Sequence, residues 1–524
     1  MDETDIPPMP NAGIYKWKIA TANDSAQFYF NQGINMYYGF HIIEALASFK
    51  KAAKFDADNA LIWWAQALAY GPNINDVGYT AAADALVAVQ NATRLSANSS
   101  AIEKALISAM SKRYSADSTQ TREKLNQDYV DAMAALYKQF PNQPDVSALY
   151  ADALMLQHPW DLWNTNGTPK SWTPLIRSVL EKLLRQTPNH PGANHYYIHV
   201  MEPSPFAAYA LPSADRLGRL TPGLSHMVHM PSHIYLRTGQ YNKGIAINET
   251  AVKRYIEYSS LFPAVQQNAF LYQWHNQHMQ VNSALMAGRY AYAIEWALEL
   301  QKNLDTSMLS LPAPMGPAVQ YIYMTPVLIN IHFSKWDVLL EMKKPADHHV
   351  YANIIYHLGK GMSYAASNKI SNAKTELQSL QNLIADTSLT LPFGPFSPPA
   401  EGAKVASELL QGFISVKKNN LQEAISHFSK ASSTEEKMVY NEPRDWLLNP
   451  KQYLGAAYLK ARQWANAENT FKKDLNQNAQ NVWSLFGLHQ ALTVQNKKIE
   501  ANIIRRQLEI ATEKSDVKLT RLFF

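Results

Sequence analysis

An all-α fold built as a solenoid of helix-turn-helix pairs is what the sequence predicts, and two observations carry the prediction. A small residue in one helix is followed, across a turn, by Ala and then by an aromatic or small residue, and this pattern recurs along the chain. Gly33, Ala45, Phe49 and Ala52 stand at spacings of twelve, four and three. Gly455, Tyr458, Ala467 and Phe471 repeat the pattern, as do Gly361 with Ala373, and Gly412 with Ala424, Phe428 and Ala431. Small residues at fixed steps let two helices cross closely, and a stack of like units needs a fixed period where an irregular bundle needs none. The second observation is negative: proline-rich stretches that cannot stay helical fall between the repeats as insertions. They are HPWDLWNTNGTPKSWTP after His158, LSLPAPMGP around Pro312 and LTLPFGPFSPP around Pro395. Long loops in a compact array serve as lids or groove fillers, or are plain insertions.

The spacing resembles the tetratricopeptide repeat, a helix-turn-helix unit of 34 residues. That resemblance implies a right-handed superhelix whose concave groove is lined by steps 2, 5, 9 and 12 of each first helix. Taking Pro222 as the proline that closes a unit, the unit starts at Pro191 and the next at Ser225; Gly288, Tyr290 and Ala293 fix a third that starts at Trp274. An insertion around Phe262 and Pro263 separates the second from the third. The chain then divides into N-terminal helical units over 1–155, central His-rich units with a loop insertion over 156–300, and C-terminal units over 301–524.

In that register the histidines gather. His195, His199 and Glu202 fall at steps 5, 9 and 12; His226, His229 and His233 at steps 2, 5 and 9; His275 and His278 at steps 2 and 5. Residues three, four and seven apart share one face of a helix, so each set projects together. Units registered from Gly33, Gly361, Gly412, Gly455 and Ala501 carry residues such as Phe30, Leu358, Phe413, Gln452 and Phe486 at the same steps, and no His. Nine of the 16 His lie between His158 and His278, so the enrichment is local.

Composition narrows the chemistry. With 47% hydrophobic and 17% charged residues the 524-residue chain is globular and large enough for a substantial core. A net charge of +5 from 48 Lys and Arg against 43 Asp and Glu, spread without basic blocks, makes nucleic acid an unexpected partner. No run is long and apolar enough to span a bilayer, and the opening MDETDIPPMP lacks a basic start and an apolar stretch. The compartment stays open between cytoplasm and periplasm, the latter with a removed signal. Without any Cys, disulfides, thiolate ligands and cysteine nucleophiles are excluded.

His with carboxylate and no thiolate suits copper, iron or zinc, as one or two ions, better than calcium or magnesium. The i, i+4 pair His195 and His199 places two nitrogens within reach of one ion, although the residues between them, Tyr196, Tyr197 and Ile198, do not form the zinc-protease motif. The expected first ligands are His195, His199, His229 and His233. Glu202 is a further ligand or a general base, and His226, His275 and His278 are ligands of a second ion or supporting donors. Pro231 is expected to distort its helix. His158 and His190 read as loop residues, and Arg237 as a groove cation for an acidic ligand. A lone groove histidine is usually a polar lining residue; a cluster of them repels when protonated and needs a compensating partner.

HPGANHYYIH, ADRLGRLTPG, SHMVHMPSHIYLRTGQY, HNQH, YNEPRDW and NVWSLFGLHQAL resemble a group of bacterial tetratricopeptide-repeat proteins, as do FNQGINMYYGF and WWAQALAYGPNIN near the start. The likeness spans almost the whole chain and implies the repeat fold without implying a reaction. Three functions are therefore expected in competition: a metal-dependent oxidoreductase or hydrolase acting on a small-molecule or peptide-like substrate in the groove, a peptide- or protein-binding scaffold, and a metal storage or delivery protein.

Overall fold

Helix follows helix from Asp24–Tyr38 to Lys498–Ala511, and no strand occurs among the described residues, which in this computed structural model are 6–268 and 270–524. The side chains of residues 266–271 lie outside the description. The expected all-α, tetratricopeptide-like helix-turn-helix array is the architecture found.

The repeat shows most clearly in its turns. Eight first helices end with a residue of positive φ placed two positions before the second helix: Phe40, Gly239, Gly288, Ser334, Asn368, Asn419, Arg462 and Asn496, with φ between 57° and 75°. In each, the following N–H reaches back five residues to a carbonyl of the first helix, as from His41 to Met36, Arg289 to Ala284 and Lys497 to Leu492. This is the αL-terminated Schellman closure, which satisfies carbonyls that the helix end would otherwise leave bare. The second helices then pack where small residues permit. A Cβ on Gly33, Gly412 or Gly455 would meet the ring of Phe49, Phe428 or Phe471 at 2.5 Å, and each of these aromatics lies sixteen residues after its glycine. The same contact at the same spacing in three pairs is the structural counterpart of the period read from the sequence.

Contacts group the chain into two compact units, Met1–Ile234 with Glu249–Gln273, and Tyr235–Asn248 with Trp274–Phe524. The sequence parts 1–155, 156–300 and 301–524 divide the chain by repeat composition, and the His-rich part contributes to both units. The first unit stacks Asp24–Tyr38 on Ile42–Phe55 and continues to Pro191–Met201 and Leu211–Leu220. Its core includes Phe30, Phe49, Trp64 and Tyr196. The second unit runs from His275–Met286 with Tyr290–Asn303 to Val482–Val494 with Lys498–Ala511, around a continuous apolar core.

The proline-rich stretches break the helices as expected. Residues 158–172 form a loop with a bridge between Trp163 and Pro169, tied down by Trp160 Nε1 donating to the Ile74 carbonyl and Trp163 Nε1 to the Val200 carbonyl. Within LSLPAPMGP only residues 311–314 lie between helices, because Leu309 and Ser310 end the 3-10 helix Thr306–Ser310 and Pro317 falls in the first turn of Met315–Tyr323, where no N–H is needed. Pro231 interrupts its helix, giving Ser225–His229 and Pro231–Arg237. No helix among the described residues is long and apolar enough to cross a membrane.

Candidate metal centre

Three helical segments deliver five imidazoles, all of residues in the first unit. Pro191–Met201 carries His195 and His199 one turn apart, and its close seating against Asp24–Tyr38 depends on Gly192, where a Cβ would lie 2.5 Å from the Tyr38 ring. Ser225–His229 carries His226 and His229, and Pro231–Arg237 carries His233. All five rings are buried, as is Glu202.

The nitrogens meet in two groups. His195 Nε2 lies 3.0 Å from His199 Nε2 and 3.2 Å from His226 Nε2. His229 Nε2 lies 2.7 Å from His233 Nε2. The opposite ring nitrogens of His195, His199 and His233 face acceptors, while His226 Nδ1 has no hydrogen-bond partner among the described residues. His195 Nδ1 donates to the Tyr38 carbonyl at 2.6 Å, and His199 Nδ1 to Glu202 Oε1 at 2.8 Å. His233 Nδ1 sits 2.7 Å from Glu202 Oε2, an ion-pair contact with poor hydrogen-bond alignment. His229 Nδ1 faces Ser232 Oγ at 3.4 Å.

This pattern has an electrostatic consequence. A carbonyl can only accept, so His195 carries its proton on Nδ1, and the Glu202 carboxylate places the His199 proton on Nδ1 in the same way. The two Nε2 atoms then face each other as lone pairs at 3.0 Å, an arrangement that is attractive only with a cation between them. A proton would make one ring an imidazolium, but burial opposes that charge. Desolvation, then the neighbouring His199, pushes His195 well below the ordinary histidine range, and desolvation with His195 does the same to His226. A metal ion fits the separation: ligand nitrogens at about 2.0–2.1 Å from a tetrahedral ion stand roughly 3.3 Å apart. His195, His199 and His226 all offer nitrogens within 4.8 Å of one another. Neutral imidazole held by a carbonyl or carboxylate at its far nitrogen is the form in which histidine ligates metals.

Aromatic rings close the first group. Phe40 stands with its ring centroid 4.5 Å from His195, 5.9 Å from His199 and 6.0 Å from His226, and the edge of Trp160 meets the His199 ring at 5.1 Å. Phe40 is one of the eight αL turn residues, a conformation that costs a bulky side chain roughly 1–2 kcal/mol and that Gly or Asn usually fills.

The sequence reading placed His226 among second-ion ligands or supporting donors; its Nε2 lies with that of His195, at 3.2 Å. Glu202 touches two ring nitrogens, one with each oxygen. His275 and His278 belong to the second unit, where His275 Nε2 lies 3.8 Å from Glu442 Oε2 and His278 packs against Tyr321, with a ring separation of 5.9 Å. Burial pushes His278 down to about 4. Arg237, also in the second unit, donates to the Gln477 carbonyl at 3.1 Å and lies over the Tyr440 ring. His190 caps its helix, accepting the Ala193 N–H, and His158 stacks on Trp172 at 3.7 Å.

Sequence reasoning missed His41 and Glu44. Both are buried, His41 Nδ1 lies 2.9 Å from Glu44 Oε1, and the ring stacks on Tyr272, which also neighbours His226. The signal was present: His41 and Glu44 repeat the i, i+3 spacing of His199 and Glu202. His41 lies in a turn and outside the first-helix steps, so the register passed over it.

No protein-family model matches the chain, and no curated protein matches it. Among solved structures it is similar to a human IFIT1 dimer with m7Gppp-AAAA, at 14% identity over 95% of this chain and 92% of that one, with a TM-score of 0.32. It is also similar to yeast Tom70, at 11% identity over 93% of each chain and a TM-score of 0.30. The TPR domain of P58(IPK) shares 11% identity over 90% of this chain and 99% of that one, with a TM-score of 0.22. These likenesses add nothing to the helical pairs already described.

Proposed function

We propose that the chain is a tetratricopeptide-like scaffold whose first unit holds a transition-metal centre, and that on HPGANHYYIH and HMPSHIY it belongs with the bacterial group those segments resemble. One observation carries the metal reading: Nε2 atoms approach to 3.0–3.2 Å while the far nitrogens of His195 and His199 are committed to acceptors. In this reading His195, His199 and His226 hold one ion. His229 and His233 offer a second position, and Glu202, set between His199 and His233, orients both. Three imidazoles leave one tetrahedral position for water or substrate, which suits zinc-hydroxide hydrolysis, and copper or iron in the same set suits redox work on a small-molecule or peptide-like substrate. Glu202 is then a positioning carboxylate more than a ligand. Metal storage or delivery would use the same ligands without turnover.

Zinc or copper titrated into metal-free protein lacking a His-tag should bind at about one ion per chain or more. His199→Ala and His226→Ala should each abolish the tight site. Retention of normal affinity by either variant would sink the assignment.

A second reading, a peptide- or protein-binding scaffold, is favoured by the repeated helical pairs of the second unit, which stack first helices side by side as such scaffolds do.

A further inference from the structure

After its last helix, Lys498–Ala511, the second unit sends residues 512–524 back across its own first helices. Asp516 accepts two backbone N–H groups at the start of Tyr290–Asn303, from Tyr290 at 2.6 Å and from Ala291 at 2.8 Å. Ser515 Oγ donates to the Gly288 carbonyl at 2.7 Å. Further along, Phe523 stacks on Tyr453 at 4.1 Å and on Trp483 at 5.9 Å, and meets His332 edge-on at 5.4 Å. Phe524 lies 5.7 Å from Phe413 and 5.8 Å from Phe428. Phe523 is 6% exposed, so its seat is a closed one.

Four of these five aromatic partners, His332, Phe413, Tyr453 and Trp483, come from four different first helices. Phe413 and Trp483 occupy steps 9 and 2 of their units, the positions a tetratricopeptide array turns toward its groove. The segment thus engages several units as a peptide in such a groove would, with a carboxylate on a helix N-terminus and an aromatic pair seated seven residues later.

We propose that this first-helix face is a peptide-binding site occupied in cis by residues 513–524, and that its partner in trans is an extended segment with an acidic residue followed seven residues later by two aromatics. The inference deepens the scaffold reading and is independent of the metal centre. A tethered segment competes at an effective concentration of about millimolar, so a partner binds only by displacing it.

A fluorescein-labelled peptide of sequence 513–524 tests this by polarisation against three proteins: the full chain, the chain ending at Thr512, and the full-length F523A/F524A variant. The shortened and doubly substituted proteins should bind the peptide saturably and at least about tenfold more tightly than the full chain. Adding W483A to the shortened chain should weaken that binding. Absence of peptide binding by the folded F523A/F524A protein overturns the proposal. So does failure of both altered proteins to fold, which would make the segment an inseparable part of the core. Panning the same proteins against random twelve-residue peptides separates the two readings. Peptides captured away from this face leave the scaffold reading standing while the inference falls, and no capture by any form ends both.

Discussion

Glu202 links the two imidazole groups of the proposed centre. Its oxygens lie 2.8 Å from His199 Nδ1 and 2.7 Å from His233 Nδ1, on rings that belong to the two separate Nε2 groups. Carboxylates behind ligating imidazoles fix ring orientation and raise basicity, and their loss weakens metal binding by about 10–100-fold. E202Q should therefore lower zinc affinity by about that factor in competition with a chromophoric chelator, and an unchanged affinity would count against the orienting role. Phe40 supplies a second residue-scale prediction. Both F40A and F40G lose the ring that covers three imidazoles, at a cost of roughly 3–5 kcal/mol. Gly tolerates φ of 58° where Ala does not, so F40G should be more stable than F40A by about 1 kcal/mol in urea unfolding. The reverse order would remove the strain from the account. At this scale the sequence was partly legible: i, i+4 spacing exposed His195 with His199 and His229 with His233. The approach of His226 to His195 and of His41 to Tyr272 depends on how separate elements meet, which spacing within one helix cannot express.

Among the elements, the turns are the most regular feature. Seven of the eight αL closures carry Gly, Ser, Asn or Arg, and Arg462 is exposed with φ of 59°. R462G should raise the unfolding midpoint by the equivalent of about 1 kcal/mol, since the glycine removes the αL cost and the arginine packs little. No change, or a loss, would show that the turn carries no such strain. Buried histidines make a second prediction. His332 in Thr325–His332 is enclosed by Trp483, Phe333 and Phe523, and burial pushes it down to about 3. Its unfolded counterpart titrates near 6.5, so between about 6.5 and 3 the unfolded chain binds more protons than the folded one. Stability is fully present above that window and lost as pH falls through it, by on the order of 5 kcal/mol for this group. H332F should flatten the acid limb of the stability curve between those pH values while changing little at pH 8. An unaltered acid limb would contradict it. The helix pairs themselves were readable because small residues and aromatics keep the spacing that close crossing requires. The break at Pro231 was readable for the same local reason. The course of residues 512–524 was not, because Asp516, Phe523 and Phe524 show no helical period and find their partners far along the chain, in Tyr290, Tyr453 and Trp483 among others.

The whole molecule combines a repeat fold with a buried imidazole cluster in its first unit, for which we propose a metal ion. The fold was legible because a repeat array writes the same packing problem many times, so one ambiguous unit is corrected by its neighbours. The site was legible as a region and less so as a ligand set, since imidazoles from separate helical segments had to be ranked without knowing which nitrogens converge. In the proposed centre a reaction would be set by the ion and by what reaches the open position, and neither is encoded in spacing. The most direct measurement is elemental analysis after equilibrium dialysis of untagged protein against zinc, copper and iron, with His195→Ala and His226→Ala run alongside. The account predicts about one ion or more retained per chain by the unaltered protein and loss of the tight ion in each variant. A native protein that retains no transition metal, while folded and dialysed at micromolar metal, would contradict it.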